Sequence, residues 1–232
     1  MRVVSRASQS PGTNGESPPR NSGAPHAALL GPAIDRRGSG AAQQQGNAAA
    51  AGFLDGGATA LDFAVAKFSA ADGQLLWQTT INAGFNVGFD AADDVIAGGY
   101  IAPVSLFVVK LNGVDGTEAR RSVSQGLNVS HLAIAPGGDV VAAGPGRLPS
   151  DLPSFDVLRL AGSTGDELCH VSIGPDATGY AMAVVVAPNG DAVAGGQVDD
   201  QLLVIWLASA SGDELWRYQL TGQGSSRAEA YK

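Results

Sequence analysis

The chemistry-bearing residues of this chain lie in short acidic pairs, one cysteine and three histidines. The pairs are Asp93-Asp94, Asp166-Glu167, Asp199-Asp200 and Asp213-Glu214. Calcium would want several such oxygens converging, yet no Asp-x-Asp-x-Asp loop with a central glycine occurs, so these pairs read as turn residues whose carboxylates bond their own backbone. Cys169 can form no internal disulfide and no Cys-rich zinc site. As a thiolate nucleophile it lacks an electropositive setting, since its neighbour His170 points to the opposite face of a strand. His26, His131 and His170 show no ligand spacing. Neither Gly-x-Ser-x-Gly nor a Gly-x-x-x-x-Gly-Lys phosphate loop is present, and a two-carboxylate glycosidase pair is selected by nothing in the spacing. Asn128-Val129-Ser130 matches a glycosylation triplet of the kind that arises often by chance. No catalytic, cofactor-binding or metal-binding residue is therefore assigned, and no cofactor is expected.

Composition narrows the partners. Lys+Arg 14 against Asp+Glu 22 give a net charge of −8, the wrong sign for nucleic acid. Apolar runs reach about seven residues, as in Leu202 to Ala208, whereas a membrane-spanning helix needs about 20. Residues 1–45 hold five arginines against Glu16 and Asp35, a Gln43-Gln44-Gln45 run, and no hydrophobic period. They read as a disordered arm, with too little apolar surface to offset the entropy of ordering. No apolar segment follows Arg2 and Arg6, so no signal peptide is visible.

The elements that would position any site come from a repeat. Four segments align without gaps: Phe63 to Trp77, Leu106 to Arg120, Phe155 to Cys169, and Leu202 to Trp216, sharing Gly73, Gly116, Gly165 and Gly212. Between them recurs an apolar strand, a turn and a strand ending in glycine: Ile134-Ala-Pro-Gly-Gly-Asp-Val-Val-Ala-Ala-Gly144, Val186-Ala-Pro-Asn-Gly-Asp-Ala-Val-Ala-Gly-Gly196, and more loosely Phe89 to Gly99. A remnant stands at Asn47 to Gly52. Runs of Val, Ile, Leu and Phe bounded by Gly, Asp, Asn and Pro are strand signals, and Asn189-Gly190 and Gly137-Gly138 suit tight turns. Four strands recurring every 43 to 49 residues, with no helical period, predict an all-β propeller of four-stranded antiparallel blades. About four blades are expected, at 47–81, 85–123, 129–173 and 180–220 within a propeller region 46–222, followed by a polar tail 223–232. The first blade lacks a clear opening strand.

These residues resemble a family. Ala208-Ser-Ala-Ser-Gly-Asp-Glu-Leu-Trp216 resembles the tryptophan-docking motif of the pyrroloquinoline-quinone-type, quinoprotein alcohol dehydrogenase-like β-propellers, Ala-x-Asp-x-x-Thr-Gly-x-x-x-Trp. Ser69 to Trp77 keeps Gly73 and Trp77; Ala161 to Cys169 keeps Thr164-Gly165 with cysteine in the tryptophan place; Asn112 to Arg120 keeps Gly116 with arginine there. The resemblance covers about 47–220. It implies a structural, blade-docking role for Gly73, Trp77, Gly116, Gly165, Gly212 and Trp216. Lys67, Lys110, Arg159 and Trp206 share one repeat position, expected to be solvated or ion-paired, with Trp206 hinting at a contact surface. Arg120-Arg121 reads as a solvated strand end.

The quinone-dependent enzymes of that family carry an adjacent cysteine pair, which one cysteine cannot supply, and their calcium-binding set maps onto no position here. The expectation is a non-catalytic scaffold for binding or protein interaction, with a ligand or protein partner at the propeller's top face or channel. The weak opening of blade one favours a fragment of a larger propeller. The alternative is a remnant of a quinone-dependent dehydrogenase or a propeller hydrolase. The resemblance implies an extracytoplasmic location. End blades would leave roughly 300 Å² of face bare each, from strand spacings of about 4.8 Å, so the isolated chain is expected to associate or aggregate.

Overall fold

The computed structural model describes residues 39–42, 46–55, 61–81, 86–101, 105–125, 128–147, 152–174 and 178–221. Sixteen strands and no helix occur among them. They form four antiparallel sheets, each a meander in chain order. The first comprises β1 (Ser39–Ala42), β2 (Ala48–Asp55), β3 (Leu61–Phe68) and β4 (Leu75–Ile81). The second comprises β5 (Asn86–Phe89), β6 (Val95–Ile101), β7 (Ser105–Leu111) and β8 (Glu118–Gln125). The third comprises β9 (His131–Ile134), β10 (Val140–Arg147), β11 (Pro153–Leu160) and β12 (Glu167–Ile173). The fourth comprises β13 (Gly179–Val186), β14 (Ala192–Val198), β15 (Gln201–Leu207) and β16 (Glu214–Leu220).

The first sheet opens earlier than the sequence predicts. β1 falls inside the stretch expected to be a disordered arm and supplies the opening strand that seemed missing. Ser-Gly-Ala-Ala has no large apolar side chain and so no readable period, but it pairs in register from Ser39↔Ala51 to Ala42↔Ala48 against a strand of equally small residues. The rest of the expected arm, 1–38 and 43–45, and the tail 223–232 lie outside the described residues.

Strand alternation divides each inner sheet between two cores. Val95, Ala97, Phe107 and Val109 of the second sheet pack against Phe63, Val65, Trp77 and Ile81 of the first. Their alternates Ile96, Leu106 and Val108 pack against Leu132, Val140, Leu158 and Leu160 of the third. Val141, Phe155 and Val157 then face Val184, Leu203 and Ile205 of the fourth. Three cores thus lie between four stacked sheets. Among the described residues no such core covers the outer face of the fourth, and all seven residues of β16 are exposed.

Two local devices repeat. The turn before each outer strand closes by a glycine N–H donating to the carbonyl four residues back, as in Gly73 to Ser69 (2.9 Å) and Gly212 to Ala208 (2.9 Å). Each fourth strand also carries one extra residue, Leu76, Ala119, Leu168 and Leu215, opposite one repeat position of the third, at Lys67/Phe68, Lys110/Leu111, Arg159/Leu160 and Trp206/Leu207. A bulge there kinks the outer strand.

Candidate functional site

Opposite these bulges, third-strand side chains meet a carboxylate that recurs just before the second strand in three of the four sheets. Asp94 Oδ1 accepts from Gly113 N (2.8 Å), Asp139 Oδ1 from Gly162 N (2.9 Å), and Asp191 Oδ1 from Ser209 N (2.8 Å). In the first sheet Asn47 Oδ1 accepts from Ala70 N (3.2 Å). The second oxygen takes the residue opposite the bulge: Asp94 faces Lys110 at 2.9 Å, Asp139 faces Arg159 at 3.0 Å, and Asp191 Oδ2 accepts from Trp206 Nε1 at 3.2 Å. Each sheet is thereby laced from its first hairpin to its last. Asp94, Asp139 and Asp191 stand at one place in the repeats, so their alignment held the signal, although the pairing itself is invisible in one dimension.

Asn47 has no charge to offer, and Lys67 reaches instead into the second sheet. It is 1 % exposed, bonds Asp93 Oδ2 at 2.7 Å and Gly113 O at 2.8 Å, and its Nζ stands 5.5 Å from the centre of the Phe89 ring. Arg159 likewise crosses to the fourth sheet, donating from Nη1 to Gly190 O (2.8 Å). The repeat position expected to be solvated or ion-paired is ion-paired, and in Lys67 it is buried.

The aligned glycines lie at the junctions between sheets. Trp77, 6 % exposed, donates from Nε1 to Gly113 O (3.1 Å), and Thr79 donates to Gly116 O (2.6 Å). A Cβ at Gly116 would stand 2.6 Å from the indole ring. At the next junction Arg120 occupies the tryptophan place, and Ser122 donates to Gly165 O (3.0 Å). At the third, Cys169 and Val171 lie under Gly212, with Cys169 Sγ 2.7 Å from where a Cβ would be. Burial raises the Cys169 thiol pKa above its ordinary value. A small, partly open pocket of about 10 Å³ lies among Val157, Cys169, Val171, Leu207 and Gly212.

Arg120 corrects an expectation. It is not a solvated strand end: Nε, Nη1 and Nη2 are all buried without a hydrogen-bond partner among the described residues, and burial lowers its pKa. Arg121 is the outward member of the pair, bound to Glu118 (2.5 Å) and lying 4.7 Å from the Phe107 ring centre.

Gly73 and Trp216 sit at the two ends of this series. Among the described residues nothing lies within 4 Å of a Cβ built on Gly73. Trp216 is 46 % exposed on the outer face of the fourth sheet, its ring centre 5.6 Å from that of Trp206.

One polar cluster escaped the sequence. Asp156, buried on β11, accepts from Ser172 Oγ at 2.8 Å and lies 2.8 Å from His170 Nε2, both on β12. The bond to Asp156 raises the His170 pKa above 6.5. Serine and histidine share one carboxylate here, so the imidazole takes no proton from the hydroxyl as a nucleophile–base pair would require. Register pairs Asp156 with Ser172, a relation no motif scan reads. His131 faces the other way, its Nδ1 2.9 Å from Val184 O across the third junction. Among the described residues no cluster of three His, Cys, Asp or Glu could hold a metal ion, and no helix is long and apolar enough to cross a membrane.

Four stacked four-stranded antiparallel sheets of this kind are β-propeller blades. The chain is similar in structure to the Dos1 propeller, with 11% identity and a TM-score of 0.53 over 81% of this chain and 48% of that one. It is similar to the quinohemoprotein alcohol dehydrogenase ADHIIG from Pseudomonas putida HK5, with 14% identity and a TM-score of 0.53 over 77% of this chain and 34% of that one. BamB from Moraxella catarrhalis gives 12% identity and a TM-score of 0.38 over 78% of this chain and 63% of that one. The chain thus spans about half the length of the first of these structures and a third of the second. No family model matches the chain, and neither does any curated protein sequence.

Proposed function

We propose that this chain is a non-catalytic β-propeller scaffold of the quinoprotein-like type, built to bind a ligand or protein partner at the channel or top face. The observation that carries this reading is where its reactive groups are used. The aligned carboxylates of Asp94, Asp139 and Asp191 hold backbone N–H groups and the side chains opposite the bulges, and Lys67 and Arg159 tie one blade to the next. Groups locked in this way maintain a framework rather than meet a substrate.

The residues do not fit the quinone of the enzymes this repeat resembles. The adjacent cysteine pair is missing, and Cys169 lies under Gly212 as a blade-junction residue. The same aligned positions support a blade-docking role for Gly73, Trp77, Gly116, Gly165, Gly212 and Trp216. Titrating the purified chain with pyrroloquinoline quinone and calcium tests the reading. No stoichiometric absorbance change and no dye-linked alcohol oxidation are expected; either signal overturns it.

A further inference from the structure

Each of the three junctions is built alike. The residues four and six places after one blade's glycine pack beneath the glycine of the next: Trp77 and Thr79 under Gly116, Arg120 and Ser122 under Gly165, Cys169 and Val171 under Gly212. Among the described residues a fourth set is present without its counterpart. Trp216 and Tyr218 hold the same two positions after Gly212, and they are 46 % and 58 % exposed. At the other end of the stack Gly73 holds the receiving turn, with positive φ (68°) and open space where a Cβ would be. The outstanding donor and the outstanding acceptor belong to one chain but do not meet among the described residues.

The two outer faces also match in size. The fourth blade presents Leu202, Val204, Trp206, Trp216, Tyr218 and Leu220 by strand alternation. The first blade has Ala64 and Ala66, 6 % and 8 % exposed, directed away from the second blade, where the second has Phe107 and Val109 at the aligned positions and the third has Leu158. Bulk on one end and alanine on the other suit a face-to-face core.

We propose that a second copy of this chain completes the propeller, the Gly73 turn of each copy seating on Trp216 and Tyr218 of the other as Gly116 seats on Trp77 and Thr79. Two four-bladed halves related by a two-fold axis form a closed ring, within the range of roughly four to eight blades that propellers adopt. Its two junctions bury four blade faces of roughly 300 Å² each in projection, about the 1,200 Å² at which stable interfaces begin. This does not rest on the scaffold reading, since a binding partner at the channel is no part of it.

The test is light scattering after size exclusion, together with disulfide trapping in a Cys169→Ala background. The chain is expected at twice its 23.4 kDa mass, falling to one copy in Trp216→Glu/Tyr218→Glu with an unchanged circular dichroism spectrum. Gly73→Cys with Tyr218→Cys is expected to give a covalent dimer under oxidation, while Gly138→Cys with Tyr218→Cys gives none. A monomer of the unaltered chain, a Gly73–Tyr218 crosslink of monomer mass, or open polymers instead of dimers overturns the proposal.

Discussion

Gly116 and Trp77 share a space that a single methyl group would close. The indole of the first blade lies against the turn of the second so tightly that a Cβ on Gly116 would stand 2.6 Å from one ring carbon and 2.7 Å from another. The same turn offers the Gly113 carbonyl, which accepts from both Trp77 Nε1 (3.1 Å) and Lys67 Nζ (2.8 Å) and so uses both of its lone pairs. An apolar ring contact, a neutral hydrogen bond and a charged one thus converge on four residues of one turn.

Gly116→Ala therefore carries two costs, and Gly138→Ala carries one. Both glycines have positive φ, 72° and 90°, where an alanine is strained by about 1 kcal/mol. Only Gly116 has a ring against it, while Gly138 has open space. In urea unfolding Gly116→Ala is expected to lose clearly more stability than Gly138→Ala, by about 1–3 kcal/mol of overpacking. Equal losses would show that the ring contact contributes nothing.

Arg120→Met is expected to stabilise the chain. The guanidinium lies in a place that holds an indole one blade earlier, its three nitrogens buried without a hydrogen-bond partner among the described residues and with only the more distant charge of Asp90 to offset that burial. Leaving buried donors unsatisfied costs about 1–3 kcal/mol, and an unbranched apolar side chain of similar length removes that cost. For a domain of this size each kcal/mol moves the melting temperature by about 2–4 °C. A lower melting temperature would mean that the arginine meets an acceptor in solution.

The blades were legible because their signals repeat. Each apolar run is bounded by turn residues, and four aligned glycines fix a common register, so the four-stranded antiparallel sheets could be read from the sequence. β1 was not legible, because Ser-Gly-Ala-Ala pairs through its backbone alone and leaves no side-chain period. Of the aspartates that face the position opposite the bulge, Asp94 was visible as a turn residue, and neither it, Asp139 nor Asp191 as a partner of that position, since the contact needs the third strand folded back over the turn. Arg120 was read as solvated because its type is usually exposed, whereas the repeat places it at a buried position and overrides the preference.

Lys67→Met separates buried from surface ion pairs. Lys67 is 1 % exposed, and its loss strips donors from Asp93 Oδ2, Asp93 O and Gly113 O. Asp93 keeps some contact with water, so the expected loss is about 1–3 kcal/mol, below the range for a fully buried pair broken on one side. Arg217→Ala breaks a comparably close pair with Glu214 on the exposed β16 and is expected to cost under about 1 kcal/mol. Chemical denaturation of both variants at low and high salt checks this, with the Lys67 effect the less sensitive to salt. Equal losses would refute the distinction.

His170 makes stability depend on pH. Its bond to Asp156 favours the imidazolium in the folded chain and raises its pKa above the ordinary 6.5. A group with a raised folded pKa contributes fully below its unfolded value, and the contribution is lost as pH rises through the folded one. The urea midpoint is therefore expected to fall as the pH climbs above about 6.5, to level off once the folded imidazole is neutral, and to lose this step in His170→Gln. Proton NMR of the His170 ring gives the folded pKa directly. A value at or below 6.5, or a step that persists in the variant, would assign the pH dependence to another group.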